Sequence, residues 1–304
     1  MGKIFVGMSG WTFDGWKGDF YPKGLSQKKE LGFASRKVNS IELNGTFYSL
    51  QKPHTFQKWY DETPEDFVFA VKAPQYITHI RRLKEVEEPL ANFFASGLLC
   101  LKEKMGPLLW QFPPNVMLKD DRFEKFLELL PHNSKDAAKL AKKHGPKVKG
   151  RAYTKADSDL KVRHAFEFRH PSFQNPDFIE LLRKHGVAVV FAHSGLKSPY
   201  NEDLTADFIY ARMHGQEKQF KKGYDKDTLA WWADRVALWT TGKQPTDAQC
   251  VTDTKPKASK RDAFIYFDDE AKEYAPFNAM DLARRFEIKK IMTDRPKAKL
   301  TEAG

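Results

Sequence analysis

The sequence predicts an α/β protein, a single (β/α)8 TIM-like barrel, from three observations. Eight short apolar runs of β character alternate with stretches whose apolar residues recur near i, i+3, i+4. Strands separated by helical crossovers lie parallel, and eight such units in 304 residues match the size of a closed barrel. The rival parallel architecture, a doubly wound open sheet, usually follows its first strand with a Gly-rich fingerprint. Here G-M-S-G-W (7–11) lacks the G-x-G-x-x-G spacing.

In chain order the strands are K-I-F-V-G (3–7), S-I-E-L-N (40–44), F-V-F-A-V-K (67–72) and L-L-W-Q-F (108–112). H-A-F-E-F-R (164–169), V-A-V-V-F-A (187–192), F-I-Y-A-R-M-H (208–214) and A-F-I-Y-F-D (263–268) follow. Helical spacing covers 54–61, 88–104, 121–130, 176–185, 227–240 and 278–289. H-G at 185–186 stops one helix directly before the sixth strand, and Pro171 cannot continue the fifth. Residues 1–290 then form one barrel domain. Within it, 132–162 are a basic insertion between helix 4 and strand 5, and 291–304 are a flexible basic tail.

The composition, 41% hydrophobic and 30% charged, is that of a globular protein. No run of eighteen apolar residues predicts a membrane span, and the N-terminus carries neither an export signal nor a myristoylation signal. Two cysteines are too few for a disulfide framework or a thiolate metal site, so the expected location is cytoplasmic. The net charge of +11 raises nucleic acid as a partner. Residues 132–163 hold ten basic residues against three acids, an excess of seven. That segment follows a helix, which assigns it to the N-terminal pole of the barrel, opposite the pole where barrel active sites lie. Nucleic acid is therefore only weakly supported; a small-molecule or phosphorylated substrate is expected, with no membrane partner and the oligomeric state open.

Barrel strands point alternate residues inward, and here the inward phase turns polar near the strand ends. It carries Ser40, Glu42 and Asn44, Lys72, Gln111, Glu167 and Arg169, Tyr210, Arg212 and His214, and Tyr266 and Asp268. Inward polar groups in a helix-covered barrel need partners, so their convergence at one end points to a site. The candidate catalytic residues are Glu42, Glu167, Arg169, His214 and Asp268. The candidate substrate-binding residues are Trp11, Asn44, Tyr48, Lys72, Gln111, His170 and Arg212, with no residue assigned as a metal ligand. Glu167 and Arg169 are expected within reach of Glu42 or His214. His79, His170, His193 and His214 follow strand ends and are acid/base candidates.

The chain resembles the YecE-like family, domain of unknown function 72. The resemblance rests on G-M-S-G-W (7–11), F-Y-P (20–22), V-N-S-I-E-L-N-G-T-F-Y (38–48), F-A-V-K-A-P (69–74) and I-T-H (77–79). It continues in G-P-L-L-W-Q-F-P-P (106–114), F-E-F-R-H-P-S-F (166–173), Y-A-R-M-H-G (210–215) and Y-A-P-F-N-A (274–279). The resemblance implies a TIM barrel of unestablished activity, for which a likeness to metal-dependent barrels that cut damaged DNA has been suggested. Two positions depart from it. Y-F-D-D-E (266–270) stands where the family has Y-F-N-N-D, and its acids would repel phosphate yet suit a hard cation. F-A-H-S (191–194) stands where the family tends to carry an Asp.

Three functions fit this pattern, and an enzyme is favoured. One is a hydrolase for a phosphorylated or nucleic-acid-like substrate, assisted by a divalent metal ion, the cofactor being otherwise unknown. Another is glycoside hydrolysis with Glu42 and Glu167 as the carboxylate pair. The last is a non-catalytic binder of an anionic small ligand.

Overall fold

The computed structural model describes residues 1–119, 121–195, 198–215, 223–254, 256–268 and 273–288. Eight strands, β1 (Ile4–Ser9), β2 (Ser40–Leu43), β3 (Val68–Lys72), β4 (Met105–Gln111), β5 (His164–Glu167), β6 (Ala188–His193), β7 (Phe208–Met213) and β8 (Asp262–Phe267), pair in sequential order. β8 pairs back onto β1, so the sheet is a closed parallel barrel. Every predicted strand is present, with its ends moved by a few residues at most. A closed barrel has no edge strand to protect.

The helices are α1 (Glu30–Ala34), α2 (Gly45–Tyr48), α3 (Pro53–Glu62), α4 (Glu87–Ala95), α5 (Arg122–Leu129), α6 (Ser134–Ala141), α7 (Pro176–Lys184), α8 (Lys226–Thr240) and α9 (Ala275–Arg285). Helix starts follow local chemistry. Asn175 and Asp225 accept the N–H groups of Phe178 and Thr228, capping α7 and α8, and Gly186 at φ +61 ends the turn after α7.

Four expectations are corrected here. The single helix over 88–104 is broken: α4 ends at Ala95 and a 3-10 segment, Leu98–Lys104, follows. Gly97 makes the break at φ +115, where a Cβ would lie 2.5 Å from the Cα of Pro53. The last helix spans Ala275–Arg285 rather than 278–289, and the tail 291–304 lies outside the described residues.

Among the described residues no helix joins β6 to β7. Residues 201–205 are buried instead, and the Glu202 and Asp203 carboxylates accept the backbone N–H groups of Gln249, Val251 and Thr252. Two irregular segments thereby satisfy each other's buried polar groups.

The insertion 132–162 forms α6, packed on α4, and only its ends stay at the N-terminal pole. There Lys161 and Arg163 pair with Asp207 and Asp262, which precede or open β7 and β8. Its middle reaches loops that follow strand ends. Lys147 lies 5.3 Å from the Tyr76 ring centroid, and Arg151 donates to the carbonyl of Gln51.

Inside the barrel, side chains stack in layers. Phe5, Phe208 and Phe264 fill the N-terminal end, with Phe5 and Phe264 stacked at 4.8 Å. Ala70, Leu109, Ala165, Val190, Tyr210 and Tyr266 fill the middle. The Ser40 hydroxyl bonds the Tyr266 hydroxyl at 2.7 Å. A Cβ on Gly7 would lie 1.8 Å from the carbonyl oxygen of Ser40, so glycine alone permits β1 and β2 to close there. Above this apolar plug the interior becomes polar.

Candidate active site at the barrel mouth

Arg212, at the end of β7, organises the upper layer. It is fully buried, and all five of its N–H donors are occupied. Nε donates to Glu42 Oε2 at 3.1 Å and one terminal nitrogen to Glu42 Oε1 at 2.9 Å, a bidentate pair. The same terminal nitrogen donates to Asp268 Oδ2. The other donates to Glu167 Oε2 at 2.7 Å and to His214 Nε2 at 3.3 Å.

The acids are equally engaged. Glu42 also accepts from the Ser9 and Tyr210 hydroxyls, each at 2.6 Å. Glu167 Oε1 accepts from Gln111 at 3.0 Å and Arg169 Nε at 3.3 Å. Burial works to raise the pKa of both glutamates, but Arg212, with Lys72 nearby, overrides it and holds both below the usual carboxylate range. Since Arg212 can only donate, His214 Nε2 is an acceptor and its Nδ1–H donates to the Asp268 carbonyl at 3.2 Å. Burial and the neighbouring Arg212 lower the His214 pKa, so the ring is neutral at neutral pH.

The structure thus brings together Glu42, Lys72, Gln111, Glu167, Arg169, Arg212, His214 and Asp268, on β2, β3, β4, β5, β7, β8 and the residues just beyond. Glu167 and Arg169 face this cluster, and Arg212 bridges Glu167 to both Glu42 and His214. Among the described residues, the groups left with spare hydrogen-bonding capacity lie at the rim. Arg169 keeps both terminal nitrogens without a protein partner among the described residues, and its side chain is 36% exposed. Lys72 Nζ sits over the Phe47 ring, 4.3 Å from the centroid, without a carboxylate in pairing range among the described residues. His79 stacks edge-on against the same ring at 5.0 Å. Asn44 presents a buried Oδ1 that has no hydrogen-bond partner among the described residues.

Of the other expected residues, Trp11 and His170 make structural contacts and Tyr48 stays at the rim. Trp11 packs edge-on against Trp59 of α3, in the layer outside the barrel. Tyr48 is 73% exposed at the rim, in contact with Phe47. His170 Nδ1 accepts from the Ser172 N–H, capping the turn at Pro171–Phe173. Arg212 is placed as expected, but its saturated donors cannot take a substrate oxygen as well. Ser9, Phe47 and Tyr210 were not assigned to the site from sequence. Ser9 and Tyr210 lie on the inward phase of β1 and β7, whereas Phe47 sits in the four-residue helix α2 just beyond β2, too short to show a period.

A divalent metal fits this donor set poorly. Among the described residues no group of three or more His, Cys, Asp or Glu side chains is arranged to hold one. The three acids already share a guanidinium at their centre. Asp269 and Glu270, the other acids of that corner, lie outside the described residues. No helix among the described residues is long and apolar enough to cross a membrane.

Comparison with known proteins agrees with the fold. Residues 5–301 match the family model described as protein of unknown function DUF72. The chain is 24% identical over 300 residues to UPF0759 protein YunF of Bacillus subtilis (strain 168), covering 94% of this chain and 95% of that protein. It is 28% identical over 110 residues to UPF0759 protein YecE of Escherichia coli (strain K12), covering 36% of this chain and 38% of YecE. A DUF72 family crystal structure from Thermotoga maritima MSB8 superposes with a TM-score of 0.69 at 24% identity, covering 94% of this chain and 99% of the other. A second, from Enterococcus faecalis V583, gives 0.61 at 15% identity, covering 94% and 98%. With the family model matching nearly end to end and the barrel closed as in those structures, the chain belongs to the DUF72 family.

Proposed function

We propose that the protein is a hydrolase for a small anionic substrate, phosphorylated compounds foremost, bound at the C-terminal mouth of the barrel. One observation carries this reading. Each of the three acids is bonded to Arg212, whereas the cations that reach the rim, Arg169 through its terminal nitrogens and Lys72 through its amine, keep donors without a protein partner among the described residues. An anionic oxygen would find charge-assisted donors there without displacing a carboxylate. His79 is neutral, its pKa lowered to about 4 by burial and by Lys72 and Arg169, and it is the rim group suited to accept a proton from water.

Two alternatives lose support. A glycosidase needs one carboxyl kept protonated as its acid, and both Glu42 and Glu167 are held ionised. Metal assistance lacks a free set of ligands among the described residues. A second reading, an oligonucleotide ligand, gains from Lys147 beside Tyr76, which brings the basic insertion toward the rim.

The test is thermal denaturation with a panel of phosphorylated and carboxylated small molecules, coupled to phosphate-release assays. A true ligand at about 100 times its Kd adds about 2.7 kcal/mol of stability. Arg169→Gln should weaken that ligand roughly tenfold or more, the scale of one charge-assisted bond. If no compound shifts the melting temperature and none is hydrolysed, the reading is overturned. Salt-sensitive binding of single-stranded DNA alone would favour the oligonucleotide.

A further inference from the structure

Lys72 closes β3 with its amine in the mouth, over the Phe47 ring. Glu42, Glu167 and Asp268 lie around it, yet none of the three pairs with it, because Arg212 holds them all. Among the described residues, the groups that face it are those acids from β2, β5 and β8, Arg212 from β7, and His79 from its own loop. Burial and Arg212 push its pKa down to about 8, against the opposing pull of Glu42. About a tenth of the amine then carries a free lone pair at pH 7. A lysine desolvated beside another cation is the arrangement that makes an amine nucleophilic toward carbonyl compounds.

We propose that Lys72 condenses with the carbonyl group of an anionic aldehyde or keto acid to form an imine, while Arg169 holds the anionic end. The role of Arg169 rests on the anion-binding reading above; the covalent step goes beyond it. The neutral amine donates its lone pair to the carbonyl carbon, and the carbonyl π pair moves to oxygen. The proton shed by nitrogen passes through the neutral His79 to that oxygen. The carbinolamine hydroxyl takes up a proton from solvent and leaves as water as the nitrogen lone pair forms the C=N bond, and the iminium N–H proton returns to solvent. The net change is amine plus carbonyl to imine plus water, with no oxidant required.

The full chain is incubated at pH 7 with sodium cyanoborohydride and either glyoxylate or neutral acetaldehyde, and modified lysines are mapped by peptide mass spectrometry. Lys72 should be alkylated at least about tenfold faster than the exposed lysines, with a rate that rises toward a midpoint near pH 8. Lys72→Arg should remove that fast adduct and leave the surface background. Should Lys72→Arg fail to fold, the relative rates in the unaltered chain decide alone. Arg169→Gln should slow glyoxylate but not acetaldehyde. If Lys72 reacts no faster than exposed lysines with either probe, the imine proposal is overturned. If it reacts fast with both and Arg169→Gln changes neither rate, imine formation stands and the anion-binding reading is what fails.

Discussion

Arg212 is a residue whose replacement tests a single physical statement, that three acids depend on one shared guanidinium. Arg212→Met keeps the stem but leaves Glu42, Glu167 and Asp268 facing one another, with Arg169, on Glu167, the only lysine or arginine still in ion-pair range among the described residues. Breaking a buried pair by removing one partner costs about 3–5 kcal/mol, so urea denaturation should show at least that loss. Arg212→Lys should also be strongly destabilised, since an ammonium has three donors where five are in use, without the planar fork. A loss below about 1 kcal/mol in Arg212→Met would mean the acids are not jointly dependent on it. Much of this was legible in sequence at the level of which residues face inward, because period 2 alone decides it for Glu167 or Arg212. Which donor takes which acceptor was not legible, since Arg212 meets Glu42 across a gap of 170 positions. Nor was the displacement of Trp11 and His170, whose loops have no period to constrain them.

At the scale of the element, the strands were recoverable because each apolar run is short and bounded by turn residues. The helices were less so. The stretch 88–104 keeps helical spacing across Gly97, and only the contact with Pro53 explains why it breaks there. Gly97→Ala should therefore destabilise the fold by about 2 kcal/mol or more, combining a left-handed φ with a backbone clash. Thermal denaturation measures this, and an unchanged melting temperature would show that α4 can continue through the break. The β6–β7 connection carries the opposite lesson. Its missing helix is replaced by carboxylates that accept backbone N–H groups, an arrangement invisible to hydrophobic periodicity.

Over the whole molecule, buried neutral histidines set the acid limit of stability. His164 accepts from Trp110 Nε1 and bonds the Pro131 carbonyl, and burial lowers its pKa to about 3. Burial likewise takes His193 and His79 to about 4. A folded pKa below the ordinary 6.5 means that the neutral form is favoured by folding. That stabilisation is complete above pH 6.5 and is lost as pH falls toward 4. Glu42 and Glu167, held low by Arg212, add a further loss below their ordinary 4.5. Melting temperature should decline progressively from pH 6.5, more steeply below 4.5; a flat profile from 7 to 4 would contradict the burial of these rings. The overall charge of +11 was legible at once, but its position was not, because α6 carries part of the insertion toward the strand-end loops. The Arg212 network also has a consequence for how the chain can be divided. The first four strands contribute Glu42 and Lys72, and the last four contribute Glu167, Arg212 and Asp268. Cut between β4 and β5, the bidentate pair is divided: Glu42 loses its fork on one side, and Arg212 keeps Glu167 and Asp268 but loses Glu42 on the other. Closure of the sheet and completion of that pair are thus the same event, and co-expressed halves should assemble where either one alone would not.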